Sequence, residues 1–346
     1  MPALKIKHVL KGRAVGLNES GQAYLSRNYR VGVWRDGSET TPVAVVPCPM
    51  RRRLIEPSRL LCRLLRHEIR GYQVLPDGSR VAASRHWLYH GRPGELVLSP
   101  ARVDGDGPKA PMTITLDCGG RILWGEYWSN AERRGVRLFV STDGGRSYEP
   151  FHEFAPGEIR HVHNIIEDRY DGGYWVMAGD HGAEPGIGRL SADLKSFEWV
   201  VKGEQKYRAV SGFVFPDRLV YGTDTEKDFN AIHVLDKRTG RTEKVVETPG
   251  SCIYAARFGR WYTVSTTVEY FEKYDNRHAT IWVSENALDW REVYRVEKDV
   301  WSIKYFQFGS IVLPRGEWDR NVLIFSGQAL KKIDNRICIA EVVEEA

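Results

Sequence analysis

Residues 120–126 read GRILWGE, and residues 137–145 read RLFVSTDGG. Each segment is a short run of β-branched, aromatic and aliphatic residues beside glycine or an acidic residue, which is typical of a strand next to a turn. The first segment belongs to a recurring pattern: a glycine or aspartate, a β-rich apolar run, and then a small or acidic polar residue. Seven copies begin at Gly21, Gly78, Gly120, Gly173, Asp217, Gly259 and Asp319.

The copies begin about 42 to 60 residues apart, which is close to the period of propeller blades. Further apolar runs flank most copies and give three or four short strands per repeat. We therefore predict an all-β protein, a β-propeller of about seven blades that forms a single domain over residues 1–346. The last repeat lacks an outer strand, and residues 5–10 (KIKHVL) can supply it and close the ring.

Composition excludes several other classes of protein. The chain has 346 residues, of which 42% are hydrophobic and 11% aromatic, so it is not mainly disordered. The five cysteines include no CxxC pair, which argues against a disulfide framework and against a cysteine zinc site. We find no secretory signal and expect a cytoplasmic protein. A net charge of +5 is too small to predict a nucleic-acid partner.

Residues 51–70, RRRLIEPSRLLCRLLRHEIR, interrupt the repeats. Ser58 is a candidate helix cap, and leucines follow it at helical spacing while arginines occupy the opposite face. The pattern predicts an inserted basic amphipathic helix. Two interpretations remain open: a helix packed on the rim of the propeller, or a peripheral contact with a membrane or a protein.

Residues 141–148, STDGGRSY, resemble the Asp-box motif, S-x-D-x-G-x-x-W, with Tyr148 in the aromatic position. Degenerate copies lie at Ser191–Trp199 and Ser284–Trp290. The chain is thus similar to sialidase-like Asp-box (BNR) propellers, which implies a propeller fold and work on carbohydrate. We find no Arg-Ile-Pro motif, and the three-arginine clamp and Tyr/Glu nucleophile pair of sialidases cannot be assigned to positions in this chain, so the resemblance does not extend to sialidase activity.

The fourth repeat carries the densest group of chemically active residues. His161 and His163 precede its second strand, on one side of a strand by period-2 spacing, and Asp180 and His181 follow that second strand. We expect all four to reach one mouth of the channel. Imidazoles with a carboxylate can bind a divalent metal, although no cofactor is certain, or serve as a general base, and the alternative is a purely structural role.

Equivalent positions in other repeats supply further candidates. Asp224 and Glu226 form a carboxylate pair suited to glycoside hydrolysis, and Tyr127 can donate a proton. An acidic sugar also needs cations and stacking surfaces. The candidate substrate-binding residues are Arg27, Arg85, His86, Tyr254 and Lys304.

These features favour an enzyme that cleaves an acidic oligo- or polysaccharide. Hydrolysis would use Asp224, Glu226 or Asp180; β-elimination would use His163 or His181 as base and Tyr127 as acid, with Arg85 or a metal neutralising the uronate. The alternative is a non-catalytic propeller that binds glycan or protein, associated with glycan biosynthesis or a membrane complex. The oligomeric state is open.

Overall fold

Seven antiparallel sheets follow one another along the chain in a computed structural model. It describes residues 2–18, 21–35, 40–48, 50–85, 87–105, 111–226, 228–269 and 276–344. The pattern of seven repeats therefore predicted the all-β propeller correctly. Strand β1 (Pro2–Lys11) is the first element but belongs to the last sheet. No helix in the described ranges is long and apolar enough to cross a membrane.

Each blade begins with the strand nearest the channel and adds its other strands outwards. The first blade has β2 (Arg13–Asn18), β3 (Gln22–Arg27), β4 (Arg30–Trp34) and β5 (Thr41–Val45). The second has β6 (Ile69–Val74), β7 (Arg80–Ser84), β8 (Leu88–Gly91) and β9 (Ser99–Pro100). The third has β11 (Thr115–Leu116), β12 (Ile122–Gly125), β13 (Val136–Ser141) and β14 (Ser147–Phe154), with β10 (Arg102–Val103) outermost.

The remaining blades follow the same scheme. The fourth has β15 (Val162–Glu167), β16 (Tyr174–Ala178), β17 (Gly186–Leu190) and β18 (Phe197–Lys202). The fifth has β19 (Ala209–Val214), β20 (Arg218–Thr223), β21 (Asn230–Asp236) and β22 (Thr242–Thr248). The sixth has β23 (Ser251–Phe258), β24 (Trp261–Val268), β25 (His278–Ser284) and β26 (Arg291–Glu297). The seventh has β27 (Gly309–Val312), β29 (Leu323–Gln328), β30 (Arg336–Glu344) and β1, while β28 (Glu317–Trp318) pairs with β23.

The ring is closed by the N-terminal strand, as the sequence predicted. Strand β1 runs antiparallel to β30, from Pro2 opposite Glu344 to Lys11 opposite Arg336. Apolar side chains between neighbouring blades form the core, because each sheet packs both of its faces against the adjacent sheets. Since the strands alternate in direction, each first strand begins and each second strand ends at the same end of the ring, which we call the upper face.

The turns at Ser141, Ser191 and Ser284 join the third strand of a blade to its fourth, at the end opposite the upper face. In the first turn, the Asp143 carboxylate accepts hydrogen bonds from the backbone N–H of Ser147 at 3.0 Å and from its hydroxyl at 2.7 Å. Tyr148 is fully buried, 6.0 Å from the ring of Trp124. These turns are structural devices, as their sequence indicated.

The predicted helix over residues 51–70 is wrong in extent and in orientation. The segment forms two short helices, α1 (Met50–Arg53) and α2 (Arg59–Leu64), and the chain enters strand β6 at Ile69. Ser58 does cap α2, since its hydroxyl accepts a hydrogen bond from the N–H of Leu61. The arginine Arg63 faces inwards because it bonds the loop before the seventh blade, which carries α3 (Ile303–Phe306).

Candidate active site

The fourth blade contributes three buried side chains to the upper face. His161 directly precedes β15, His163 lies within it, and Asp180 follows β16 after one glycine. The pairing of β15 with β16 shifts between Val162 and Asn164, so His163 is the extra residue of a β-bulge. A bulge redirects side chains, and in this strand it brings both imidazoles to the same carboxylate. The structure therefore brings His161, His163 and Asp180 together through a bulge and not through the regular alternation on which the sequence prediction rested.

Three acceptor groups converge at this point. His161 Nε2 lies 3.1 Å from His163 Nε2 and 3.2 Å from Asp180 Oδ2, and His163 Nε2 lies 3.0 Å from Asp180 Oδ1. Each ring turns its other nitrogen to a backbone carbonyl: His161 Nδ1 to Trp128 at 2.8 Å, and His163 Nδ1 to Ala209 at 2.9 Å. A carbonyl can only accept, so each Nδ1 carries a proton, and when the rings are neutral both Nε2 atoms point lone pairs inwards.

Two lone pairs and a carboxylate that face one another need a shared positive charge, which either a proton on an imidazole or a metal ion supplies. A tetrahedral metal with nitrogen and oxygen ligands separates those ligands by about 3.3 Å, close to the distances in this cluster. The backbone carbonyls that fix the tautomers are the usual outer partners of metal-binding histidines. His161, His163 and Asp180 can therefore hold a divalent metal.

His181, predicted as a fourth ligand, is oriented differently. Its Nε2 lies 2.7 Å from Arg160 Nη1, so the imidazole accepts from the guanidinium instead of joining the other two rings. Burial lowers the pKa of His181, and the charges of Arg160 and Arg208 lower it further against the opposing effect of Asp180. His181 thus lies at the edge of the mouth as a neutral side chain.

Burial alone would raise the pKa of Asp180. Contact with the imidazoles of His161 and His163 instead holds this pKa far below its usual range. Burial lowers the pKa of His161 against the opposing effect of its hydrogen bond to Asp180. The carboxylate of Asp180 is thus ionised, so the cluster presents a negative charge to a cation.

Arg208 connects this cluster to the fifth blade. Its Nε lies 3.3 Å from Asp180 Oδ1, and its Nη2 lies 3.6 Å from Asp224 Oδ2 and 3.7 Å from Glu226 Oε1. Although burial lowers the pKa of Arg208, the carboxylates around it raise the value above that of a free arginine. Asp224 and Glu226, predicted as a pair, thus meet at one guanidinium.

Glu269 adds a fourth carboxyl group, from the position directly after β24. Ser251 Oγ donates a hydrogen bond to its Oε2 at 2.8 Å. Burial, and secondly the negative charge of Asp224, raise the pKa of Glu269 to about 8. The mouth therefore contains one carboxyl group that is mostly protonated at neutral pH, Glu269, and one that is ionised, Asp180, an arrangement suited to acid–base chemistry.

Tyr127 completes the mouth from the third blade. Its ring lies 4.2 Å from that of His161 and 6.4 Å from that of His163, measured between centroids. Burial and the charges of Asp224 and Asp180 raise the pKa of Tyr127. The phenol therefore stays protonated next to the His161 ring, and its role as proton donor remains a prediction.

Cationic side chains continue down the channel. Arg315 Nη1 lies 3.4 Å from Asn164 Oδ1, one residue below His163, and burial lowers the pKa of Arg315 to about 10. Within the described ranges Arg315 makes no ion pair. Nearer the first blade, Arg13 pairs with Glu68 at 3.2 Å and reaches the hydroxyl of Tyr254 at 3.5 Å. The channel wall is thus suited to an anionic ligand.

The other predicted binding residues are dispersed. Arg27 is exposed at the end of β3 and lines a cavity of about 300 Å³ with Arg13 and Glu68. Arg85 is exposed after β7, and exposed Lys304 covers the ring of Tyr305. His86 lies outside the described residues. Among the described members of this group, Tyr254 contacts the channel residue Arg13, and Arg27 shares a cavity with Arg13.

Sequence reasoning missed Arg208 and Glu269, which lie at the centre of the mouth. Arg208 directly precedes β19, just as His161 directly precedes β15. Glu269 directly follows β24, and Asp180 likewise follows β16, with one glycine between them. The repeat pattern would have identified both residues if the ends of these strands had been predicted correctly.

Comparisons with solved structures support the fold. Virginiamycin B lyase from Staphylococcus aureus has a TM-score of 0.61 at 13% identity, over 98% of this chain and 100% of that one. YCF48 bound to a D1 peptide has a TM-score of 0.59 at 12% identity, over 99% and 100%. The GH74 enzyme of Niastella koreensis has 0.55 at 10% identity, over 84% of this chain and 46% of that one.

At such identities the likeness shows a β-propeller alone, a fold that serves enzymes and peptide-binding proteins equally. No family model matches the sequence. No curated protein matches it either. The sialidase-like character thus remains a resemblance carried by three turns.

Proposed function

We propose that this protein cleaves an acidic oligo- or polysaccharide by β-elimination at the upper mouth of its channel. The observation that carries the proposal is the convergence of His161 Nε2, His163 Nε2 and the Asp180 carboxylate. His161, His163 and Asp180 would hold a divalent cation, which would supply the positive charge that neutralises a uronate carboxylate and acidifies the hydrogen on the adjacent carbon.

The histidines are poorly placed to act as the base, because their Nε2 atoms are directed at Asp180 or Arg160. The base is instead a carboxylate beside Arg208. The Oδ1 atom of Asp224 is buried and has no hydrogen-bond partner within the described ranges, which leaves a lone pair for an incoming C–H proton. Glu226 is the more exposed alternative, with its side chain 51% accessible.

Elimination needs one base and one acid. Asp224 or Glu226 takes the proton from the carbon next to the carboxylate, and the released electron pair forms a carbon–carbon double bond. The bond from the neighbouring carbon to the glycosidic oxygen breaks, and Tyr127 gives that oxygen its proton. Arg208 and Arg315 supply fixed positive charge for an anionic chain.

A second candidate reaction is hydrolysis, and Glu269 favours it. A carboxyl group with a pKa of about 8 can protonate a leaving oxygen, while the carboxylate of Asp224 or Glu226 acts as nucleophile or activates water. This pairing needs no cation.

Product analysis separates the two reactions. Purified protein is incubated, with and without a divalent metal, with a panel of uronate-containing polysaccharides. β-Elimination yields unsaturated uronate ends, which absorb in the ultraviolet and weigh one water less than hydrolysis products. Saturated ends would overturn elimination in favour of hydrolysis. Glycan binding without any cleavage would overturn both in favour of a binding module.

A further inference from the structure

A group of large apolar side chains is exposed on the upper face, between the first and second blades and before the seventh. This rim patch consists of Leu61, Leu64, Leu65, Val300, Trp301, Tyr305 and Phe308. The exposed fractions of Leu65, Tyr305 and Val300 are 48%, 53% and 87%. Exposed apolar residues that stand singly need no explanation, but a contiguous group marks an interaction surface.

Helix α2 directs two of its leucines outwards and its arginine Arg63 inwards. Arg63 is 1% exposed, whereas Leu61 and Leu64 on the same helix are 43% and 42% exposed. Burying the guanidinium of Arg63 costs free energy, and leaving Leu61 and Leu64 partly exposed gives up some of the stabilisation that their burial would provide. An apolar partner outside the chain explains this arrangement.

Arg63 also joins the two halves of the rim patch. Its Nε donates to the carbonyl oxygen of Phe306 at 2.8 Å, and its Nη1 pairs with Asp299. Inside the patch, the rings of Trp301 and Phe306 lie 5.4 Å apart. Gln307, the next residue, donates to Glu68 at 3.1 Å, and Glu68 pairs with Arg13 in the channel. The patch is thus a fixed part of the wall beside the mouth.

Arg59 and Arg63 are paired with Asp334 and Asp299, so among the described residues the exposed charges beside the patch are cationic. Residues 50–66 contain six arginines and a single acidic residue, Glu56, and residues 300–308 contain Lys304 and no acidic residue. Glu56 faces His67 at 3.5 Å, whereas Arg53 and Lys304 are exposed. Leucine, tryptophan and tyrosine side chains surrounded by arginine and lysine match the interface of an anionic bilayer, where aromatic rings lie at the headgroups and cations meet the phosphates.

We propose that the rim patch docks the protein on an anionic lipid bilayer, with the upper mouth directed at the membrane surface. The inference is independent of the reaction catalysed in the mouth. Apolar burial supplies part of the binding free energy, and attraction of Arg53 and Lys304 to acidic headgroups supplies a salt-sensitive part.

Vesicle sedimentation tests the proposal with the full-length chain. Binding is measured on phosphatidylcholine vesicles and on vesicles that also contain phosphatidylglycerol, at low and high salt. We expect binding to the anionic vesicles that weakens with salt, and little binding to the neutral ones. The double variant Trp301→Ala/Tyr305→Ala should weaken partitioning about tenfold or more, because it removes two interfacial rings.

Matched controls use exposed residues at the opposite end of the ring. Tyr170→Ala/Leu288→Ala removes two exposed apolar side chains there. Lys195→Glu makes the same charge change there as the patch variant Lys304→Glu and serves as its control. Both controls should leave vesicle binding unchanged. Equal binding of controls and patch variants, or none to anionic vesicles, would overturn the proposal. A dimer seen by analytical ultracentrifugation and lost in Trp301→Ala/Tyr305→Ala, without vesicle binding, would overturn it in favour of a second copy of the chain.

Discussion

The Nε2 atoms of His161 and His163 lie 3.1 Å apart, and because each Nδ1 donates to a backbone carbonyl, neither Nε2 carries a proton when the rings are neutral. The carboxylate of Asp180 approaches the same point. Lone pairs at this distance repel unless a positive charge lies between them. The relationship is therefore the strongest chemical indication that the structure gives of what this protein binds.

Arg208 is expected to be essential to both substrate binding and stability. It is the charge partner of Asp180 and Asp224 and is itself buried. Removing one member of a buried charge group typically costs roughly 3–5 kcal/mol. Urea denaturation of Arg208→Ala should show a loss of this order, and Arg208→Lys a smaller one. Arg146→Ala, in the exposed turn of the third blade, should match the wild type; equal stability of all three proteins would refute the role given to Arg208.

Glu269 is expected to make stability depend on pH. Its pKa is raised to about 8 in the folded protein, so the folded state holds the proton more tightly than the unfolded state. The free energy of unfolding should therefore fall as pH rises from the ordinary glutamate value to about 8. Glu269→Gln should remove this slope in pH-resolved chemical denaturation, whereas the exposed Glu198→Gln should keep it. A slope that survives in Glu269→Gln would show that another group causes it.

Tyr127 is expected to act in the chemical step. Phenylalanine preserves the ring that packs against His161 but cannot supply a proton. For Tyr127→Phe we expect kcat to fall by about 10²–10⁴ with KM nearly unchanged, a magnitude typical of a lost general acid. Steady-state kinetics on a cleaved substrate measure both constants. A rise in KM at constant kcat would instead assign Tyr127 to substrate binding.

The N-terminal strand is expected to be required for the whole ring. Leu4, Ile6 and Leu10 pack against the core shared by the first and the last two blades, and β1 is the outer partner of β30. Deletion of residues 2–11 should abolish the single cooperative melting transition. Lys5→Ala, an exposed position on the same strand, should leave the transition in place. A deletion variant that melts cooperatively, only a few degrees lower, would contradict ring closure by β1.

Much of this fold is readable from sequence because blade strands are short, local and regularly punctuated. Gly120, Gly173 and Gly259 mark real turns with positive φ, and Ser141, Ser191 and Ser284 lie where third strands end. The prediction for residues 51–70 failed because helical spacing of the leucines does not show whether these side chains face inwards or outwards. Only tertiary contacts of Arg63 decide the direction.

Only part of the site could be predicted from the sequence, for a related reason. His161, His163 and Asp180 belong to one blade, so local spacing brings them together. Arg208 and Glu269 belong to two other blades, and their positions depend on strand ends. Strand β19 begins at Ala209, before the apolar run at residue 211, and β24 continues to Val268, beyond the end of its apolar pattern at Ser265. Bulges and polar strand residues extend these strands, and periodicity does not reveal them.

Isothermal titration of the purified, metal-stripped protein with Mn²⁺, Co²⁺ or Zn²⁺ tests the central claim most directly. We predict one tight site per chain for at least one of these ions, lost in His163→Ala and in Asp180→Asn and retained in His8→Ala, which alters an exposed histidine of β1. Circular dichroism confirms that each variant is folded. Absence of binding in the wild type, or binding of equal strength in folded His163→Ala, would contradict the account.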